Sequence, residues 1–359
     1  MNDPVNIDEL REQARHRLEP MVYDYWAGGS DDEETLRANR TGWSAWRLVH
    51  RVFQDVREID TTTRLLGADL SFPVLTAPCA FNGLGHPDGE LAVARAAGQA
   101  GIIQVLSTAS TTPLESVAAE VPDATRWFQL YVYRDRALTL DLVRRAEEAG
   151  YAALCVTVDV PVAGNRERDI RNAFHLPPGI RWANLDHLMG GDHDGSALTR
   201  YIHERWDRNL SLDTIAWLLS ETRLPVLVKG VMDPRDAAEA ASTGIAGLVV
   251  SNHGGRQLDG AVSTAELLPE VAAAVAGRSA LLVDGGIRRG THILKALRLG
   301  ADAVLIGRPY LWGLACNGEQ GVSRVLGQLR AELETAMALC GCRTVADCRD
   351  VGLRGGPAQ

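Results

Sequence analysis

Residues 251–260 read SNHGGRQLDG and close the apolar run GLVVS. Their types suit acid–base work on an anion: the imidazole of His253 moves protons near neutral pH and the guanidinium of Arg256 grips carboxylates. The paired glycines let the backbone turn tightly or approach a ligand. Comparable groups follow other short apolar runs: Cys79, Ser107, Gln129 with Tyr131, Thr157 with Asp159, Lys229, Ser251 itself, Asp284 with Gly286 and Arg288, and Gly307 with Arg308. In DGGIRRG (284–290) and IGRP (306–309), glycines beside arginines offer backbone N–H groups and fixed positive charge, a means of holding phosphate.

Groups so scattered must be brought to one place. Eight apolar runs read as buried strands: FPVLTAPCA (72–80), IIQVLS (102–107), RWFQLY (126–131), ALCVTVD (153–159), PVLVKG (225–230), GLVVSN (247–252), ALLVDGG (280–286) and AVLIG (303–307). Helix-like segments such as GELAVARAAGQAG, LTLDLVRRAEEAG, DPRDAAEAASTG and RGTHILKALRLG lie between them, several ending in glycine. Near-continuous apolar strands alternating with helices predict an α/β fold, a closed (β/α)8 TIM barrel forming a single domain over 1–359. The alternative, an open doubly wound sheet, calls for a GxGxxG at the first strand-to-helix turn, and none is there. Barrels carry their active sites at the C-terminal ends of the strands, where the groups above stand. Residues 1–70 predict an N-terminal helical cover, and the polar insert after the fourth strand, about 175–210, predicts a lid.

Composition narrows the partners. With 37 Lys and Arg against 46 Asp and Glu, the net charge of −9 argues against a nucleic-acid binder. No apolar run reaches about 18 residues, and MNDPVNIDELREQARHRL lacks the pattern of a signal peptide, so a cytoplasmic protein without membrane contact is expected. Cys340, Cys342 and Cys348 have no nearby histidine or fourth thiolate, and no metal site is expected.

Taken together, these segments resemble the FMN-dependent α-hydroxy acid oxidases and dehydrogenases, which include glycolate oxidase, lactate oxidase and mandelate dehydrogenase. The resemblance runs from VYDYWAGGSDDE through APCAFNGLGHPDGE, LSTAS, WFQLYVYRDR, TVDVPVAGNRERDIRNAF, LVKGV, SNHGGRQLDG, DGGIRRG and IGRP to MALCGCR. It implies that the phosphate is that of FMN. It implies further that His253 is the base facing the substrate and that Asp159 orients it and stabilises its charged form. By the same resemblance Arg256 and Arg166, with Tyr25, hold the substrate carboxylate, and Tyr131 meets the substrate hydroxyl. On the cofactor side it implies Lys229 beside the flavin N1 and O2. Ser107, Gln129, Thr157 and the backbone of Ala77, Pro78, Cys79 and Ala80 would surround the isoalloxazine. Ser251, Asp284, Gly286, Arg288, Gly307 and Arg308 would serve the ribityl chain and phosphate.

Ala109, in LSTAS, stands where glycolate oxidases carry a tryptophan, and the run is similar to that of mandelate dehydrogenase. A methyl in place of an indole leaves room for an aryl group. The resemblance thus implies an aryl (S)-2-hydroxy acid, mandelate or 4-hydroxymandelate, oxidised to the 2-oxo acid, unless Trp182 refills the space for a small aliphatic acid. Phe128 replaces a tyrosine of some relatives and is assigned packing alone. The insert carries Asp192, His193, Asp194, Arg200, Glu204, Arg205 and Asp207, so none of it suits a lipid interface. Oxygen, giving hydrogen peroxide, is therefore the expected acceptor, with a dehydrogenase using another acceptor as the alternative. The family's habit implies a homotetramer. Two rival readings stand beside this one: a flavin-dependent isomerase, which shares the phosphate site but has no need of His253 with two carboxylate-gripping arginines, and a non-catalytic scaffold, which would be expected to have lost one of His253, Arg256 or Lys229.

Overall fold

Eight parallel strands close into a barrel in the computed structural model of the chain, which describes residues 3–186 and 205–356. Three helices come first, α1 (Ile7–Arg17), α2 (Pro20–Ala27) and α3 (Glu34–Ala45), followed by strand β1 (Trp46–Val49) and the hairpin of β2 (Thr63–Leu65) and β3 (Ala68–Leu70). The barrel begins with β4 (Val74–Thr76), α4 (Gly89–Gln99), β5 (Ile103–Leu106), α5 (Leu114–Glu120), β6 (Arg126–Leu130), α6 (Arg136–Glu148) and β7 (Ala153–Thr157). After α7 (Glu167–Arg171) and α8 (Leu212–Glu221) it continues with β8 (Val226–Val231), α9 (Pro234–Ala241), β9 (Gly247–Val250), α10 (Thr264–Val275), β10 (Ala280–Val283), α11 (Gly290–Arg298), β11 (Ala303–Ile306) and α12 (Arg308–Cys340). The chain's last strand is β12 (Gly352–Gly355). Each barrel strand pairs with its sequence neighbour, and β11 closes on β4, as the eight apolar runs predict.

The first 70 residues are not helical throughout. β1 pairs antiparallel with β12, and the β2–β3 hairpin sends Leu65 and Leu70 into the barrel's inner core. Half of the predicted lid, residues 187–204, lies outside the described residues. No helix among the described residues is long and apolar enough to cross a membrane.

Alternation along the strands sorts the barrel's two faces. Leu75, Ile103, Val105, Trp127, Ala153, Cys155, Leu227, Val249, Leu282, Ala303 and Leu305 form the inner core. Residues between them, such as Val74, Leu106, Phe128, Leu154, Val228 and Val304, pack outward in a larger core with the helices. Counting on by twos from the inner residues reaches Ala77, Cys79, Ser107, Ala109, Gln129, Tyr131, Thr157, Asp159, Lys229, Ser251, His253, Asp284 and Gly307. The inner face thus passes from apolar to reactive with no change of parity.

α12, which starts with Arg308 at the barrel mouth, bends where Asn317 and Gly318 leave helical geometry. Across the bend the two arms meet at Gly313 and Gly321, where a Cβ on Gly321 would lie 1.9 Å from the Gly313 carbonyl oxygen. Gly321→Ala should therefore destabilise the fold by about 1–3 kcal/mol, the usual cost of overpacking. Thermal unfolding should show a lowered melting temperature, and an unchanged one would refute the close approach.

Candidate active site

Each polar residue of the loop after β9 has a separate task. Ser251 Oγ accepts from Lys229 Nζ at 3.0 Å and from the His253 N–H at 3.1 Å. Asn252 and Asn39 of α3 exchange side-chain amide hydrogen bonds of 2.7 and 2.9 Å. Gln257 donates to the carbonyls of Asp159 and Val162, both at 2.9 Å. Asp259 accepts the N–H groups of Glu34 and Thr35, satisfying the first turn of α3 with a favourable negative charge. The backbone between these anchors is left-handed at His253 (φ +56°), Gly254 (+66°) and Gly255 (+75°). A Cβ at Gly255 would meet the Leu36 nitrogen at 2.6 Å, so only glycine fits there. Histidine in this conformation is strained, and the flanking hydrogen bonds hold it so.

The turn delivers His253 Nδ1 to 3.0 Å from Asp159 Oδ1. Gly230 makes room for that carboxylate, since a Cβ there would lie 2.6 Å from the Asp159 Cβ and Cγ. Burial works to raise the pKa of Asp159, but His253 and Lys229 outweigh it and hold the carboxyl below its ordinary value. Burial lowers the pKa of His253, and the pull of Asp159 offsets this only in part. Asp159 thus works in favour of the charged imidazole while desolvation is the larger effect, leaving a neutral ring beside a carboxylate in the resting pair. With Asp159 ionised, Nδ1 carries the hydrogen and donates, and Nε2 keeps its lone pair. Lys229 lies 3.1 Å from Asp284. Burial would lower its pKa, yet Asp284 and Asp159 raise it, so the ammonium persists.

The same mouth is strongly cationic. Arg308 donates to the carbonyls of Trp26, Gly254 and Gly28 at 2.7, 2.9 and 2.8 Å, and Arg288 to that of Ile287 at 2.7 Å. Arg256 donates to the Tyr25 and Gly28 carbonyls and covers the Tyr25 ring at 5.0 Å. Carbonyls bring no countercharge. Burial, then Arg256 and Arg288, push Arg308 down to about 9, and burial, then Arg40, pushes Arg288 down to about 10. Burial and Arg256 likewise lower Arg166, which lies 4.0 Å from Asp169. Cations held out of water in this way favour an anion between them. Among the described residues, Gln129 Nε2 and Asp284 Oδ1 are also buried without a partner, as suits a ligand carrying both acceptors and donors.

One cavity is lined by Tyr25, Ala77, Pro78, Cys79, Ala80, Ser107, Ala109, Tyr131, Arg166, Lys229, His253, Arg256, Asp284, Gly286, Arg288, Gly307 and Arg308. Four predicted residues stand behind that lining. Asp159 is bonded to His253, Ser251 to Lys229, Gln129 to Ser107 at 3.3 Å, and Thr157 is buried opposite Lys229 in the strand register. Burial raises the Cys79 thiol, which stays protonated, and burial also raises the Tyr25 and Tyr131 phenols, which remain donors. Phe128, of outward parity, meets the Tyr151 ring edge-on at 5.8 Å and stays out of the cavity.

Sequence reasoning named Trp182 but missed Phe81 and Trp206. Phe81 and Trp182 (centroids 5.5 Å apart) and Trp206, stacked on Tyr131 at 4.0 Å, also line the cavity around Ala109. The fully buried Glu90 fixes this wall by accepting from the N–H groups of Asn82 and Thr111 and the hydroxyls of Thr111 and Thr112. The N–H of Phe81 donates to the Ala109 carbonyl at 2.9 Å.

Residues 14–354 match the model of a family described as FMN-dependent dehydrogenase. The chain is 48% identical over 354 residues to an L-lactate oxidase of Nostoc sp. (strain PCC 7120 / SAG 25.82 / UTEX 2576), covering 97% of each. It is 44% identical over 347 residues to 2-hydroxyacid oxidase 1 of Mus musculus, covering 95% of this chain and 94% of the relative. Among solved structures, a mandelate oxidase superposes with a TM-score of 0.93 at 42% identity, over 99% of this chain and 100% of that one.

The His253–Asp159 geometry makes a prediction of its own. The imidazole should titrate, by NMR, below the ordinary value of about 6.5, and lower still in Asp159→Asn, which removes the charge opposing desolvation. A midpoint above the ordinary value would overturn the neutral-ring assignment.

Proposed function

Because the chain belongs to the FMN-dependent dehydrogenase family, and is an FMN-dependent 2-hydroxy acid oxidase, we propose that its substrate is an aryl (S)-2-hydroxy acid, mandelate or 4-hydroxymandelate. The product is the 2-oxo acid and the final acceptor is oxygen, reduced to hydrogen peroxide. What carries the catalytic part of this reading is the neutral His253, held by an ionised Asp159 in the same cavity as Arg166, Arg256 and Lys229.

The residues present suit FMN. In this reading Arg288, Arg308 and the backbone at Gly286 and Gly307 hold the phosphate, Ser251 and Asp284 serve the ribityl chain, and Ser107, Gln129, Thr157, Lys229 and the 77–80 backbone hold the ring. Bound FMN supplies the two-electron acceptor for the carbon–hydrogen bond being broken. The protein binds and orients the acid. Arg256 and Arg166, with the Tyr25 hydroxyl, hold the carboxylate, which fixes the α-carbon, and the Tyr131 hydroxyl meets the substrate hydroxyl. His253 Nε2 takes the proton, and the imidazolium that forms is then stabilised by Asp159 at 3.0 Å. Desolvation thus keeps the base ready, and the carboxylate acts once the proton has arrived. The aromatic rings lining the cavity reduce the water around this exchange.

The aryl reading is supported by the wall itself: the Ala109 methyl leaves space that is bounded by Tyr25, Phe81, Tyr131, Trp182 and Trp206. Trp182 does stand at the cavity, and a relative named for L-lactate keeps a small aliphatic acid as the second reading.

Anaerobic titration with (S)-mandelate should bleach the flavin band near ~450 nm, and air should restore it with peroxide released. Slow return would indicate a different acceptor, and no bleaching would exclude the aryl substrate. His253→Ala should keep the yellow colour and lose about 10²- to 10⁴-fold in bleaching rate, whereas normal bleaching would remove His253 from the reaction. Ala109→Trp should cut kcat/KM for (S)-mandelate far more than for (S)-lactate. An equal effect on both acids would remove Ala109 from the choice of substrate.

A further inference from the structure

We propose that Trp206 selects the planar side chain of the substrate, an inference that rests on the aryl reading above and names the residue that makes the contact. Trp206 follows the insert after β7, yet its backbone is stitched to a different part of the barrel. Residues 133 and 206 form an antiparallel bridge, the Arg134 N–H donates to the Arg205 carbonyl at 2.9 Å, and the Asp207 N–H donates to that of Val132 at 3.0 Å. Arg136 locks the next residue by an ion pair with Asp207 at 2.8 Å, and its guanidinium lies 4.5 Å over the Trp217 ring. This double attachment fixes the backbone just where the insert rejoins the barrel, so the indole is placed with the precision of a strand residue.

The indole lies almost parallel to Tyr131, 21° between planes and 4.0 Å between centroids, and both rings line the cavity that holds His253 and Ala109. Its Nε1 is buried with no hydrogen-bond partner among the described residues. Among the described residues no polar contact anchors the ring. Its burial is sustained by its faces, one on Tyr131 and the rest of the ring among the cavity's walls. A large aromatic surface in that position rewards a flat, polarisable side chain through many dispersion contacts, and a methyl group reaches few of them. Ala109 and Trp206 thus divide the selection. The alanine withholds an obstacle, and the tryptophan supplies the contact.

The test compares kcat/KM for (S)-mandelate and (S)-lactate in the FMN-loaded wild type, Trp206→Phe and Trp206→Leu, with the flavin spectrum as the check that cofactor is retained. The mandelate-to-lactate ratio should fall in the order Trp, Phe, Leu, by about tenfold at leucine, the upper range of a single aromatic contact. The loss should sit mainly in KM for mandelate. A ratio that stays constant while kcat falls equally for both acids would mean that Trp206 only supports Tyr131, and would overturn the inference while leaving the aryl reading intact. A wild type that prefers lactate would overturn the aryl reading itself, and the inference with it. Should the leucine variant fail to hold FMN, the phenylalanine variant decides: a ratio reduced about threefold supports the contact, and an unchanged ratio refutes it.

Discussion

Charge held out of water is the condition that shapes the barrel mouth. Lys229 and Asp284 are 4% and 6% exposed and lie 3.1 Å apart, and the lysine keeps its charge out of water because of that contact. Asp159 extends the pair into a chain, reaching His253 on one side and biasing Lys229 on the other. The outcome is asymmetric. The lysine is driven toward permanent charge and the imidazole toward neutrality, though both face the same carboxylate. An ammonium pays a solvation cost that two carboxylates can offset, whereas the imidazole can shed its proton and avoid that cost. A fixed cation beside a free base suits the proton transfer proposed for His253.

That arrangement is held together by the N-terminal segment as much as by the barrel. Arg256 and Arg308 spend their donors on the carbonyls of Tyr25, Trp26, Gly28 and Gly254, which clamps the end of α2 to the loop after β9. Trp43 of α3 donates to the Gly285 carbonyl at 2.7 Å, and Asn39 pairs with Asn252. These are mostly short bonds between charged or indole donors and backbone, so the loops cannot shift without stranding buried polar groups. The arginines that face the cavity therefore also set its shape. Removing one alters the position of Tyr25 as well as the charge.

The barrel and most of its reactive rim were legible because they obey a period of two. Gln129, Lys229, Ser251 and Asp284 continue the inward parity of Trp127, Leu227, Val249 and Leu282, and Phe128 is of outward parity, which is why it packs on Tyr151 and meets nothing in the cavity. Three things were not legible. The pairing of β1 with β12 joins segments some 300 residues apart through short strands of weak pattern. The protonation state of His253 is a contest between burial and Asp159, and burial is not written in any single residue. Phe81 and Trp206 stand on loops, so no periodicity marks them, although Phe81, with its φ of +56°, is held by the same kind of strained turn as His253.

This difference in legibility also separates the parts of the function. Chemistry proposed as common to the family depends on groups in strand register, whose positions the barrel dictates. In the proposed reading the choice of side chain on the substrate rests on Ala109, Phe81, Trp182 and Trp206, which come from three connections between barrel strands and are a small share of the sequence. Glu90 ties two of those loops to each other through four hydrogen bonds, and the bridge at residue 206 ties a third to the barrel. Each ring can change while the base, its carboxylate and the buried cations remain where they are. Similar overall identity to relatives named for different acids is then expected if, as proposed, the wall selects the acid.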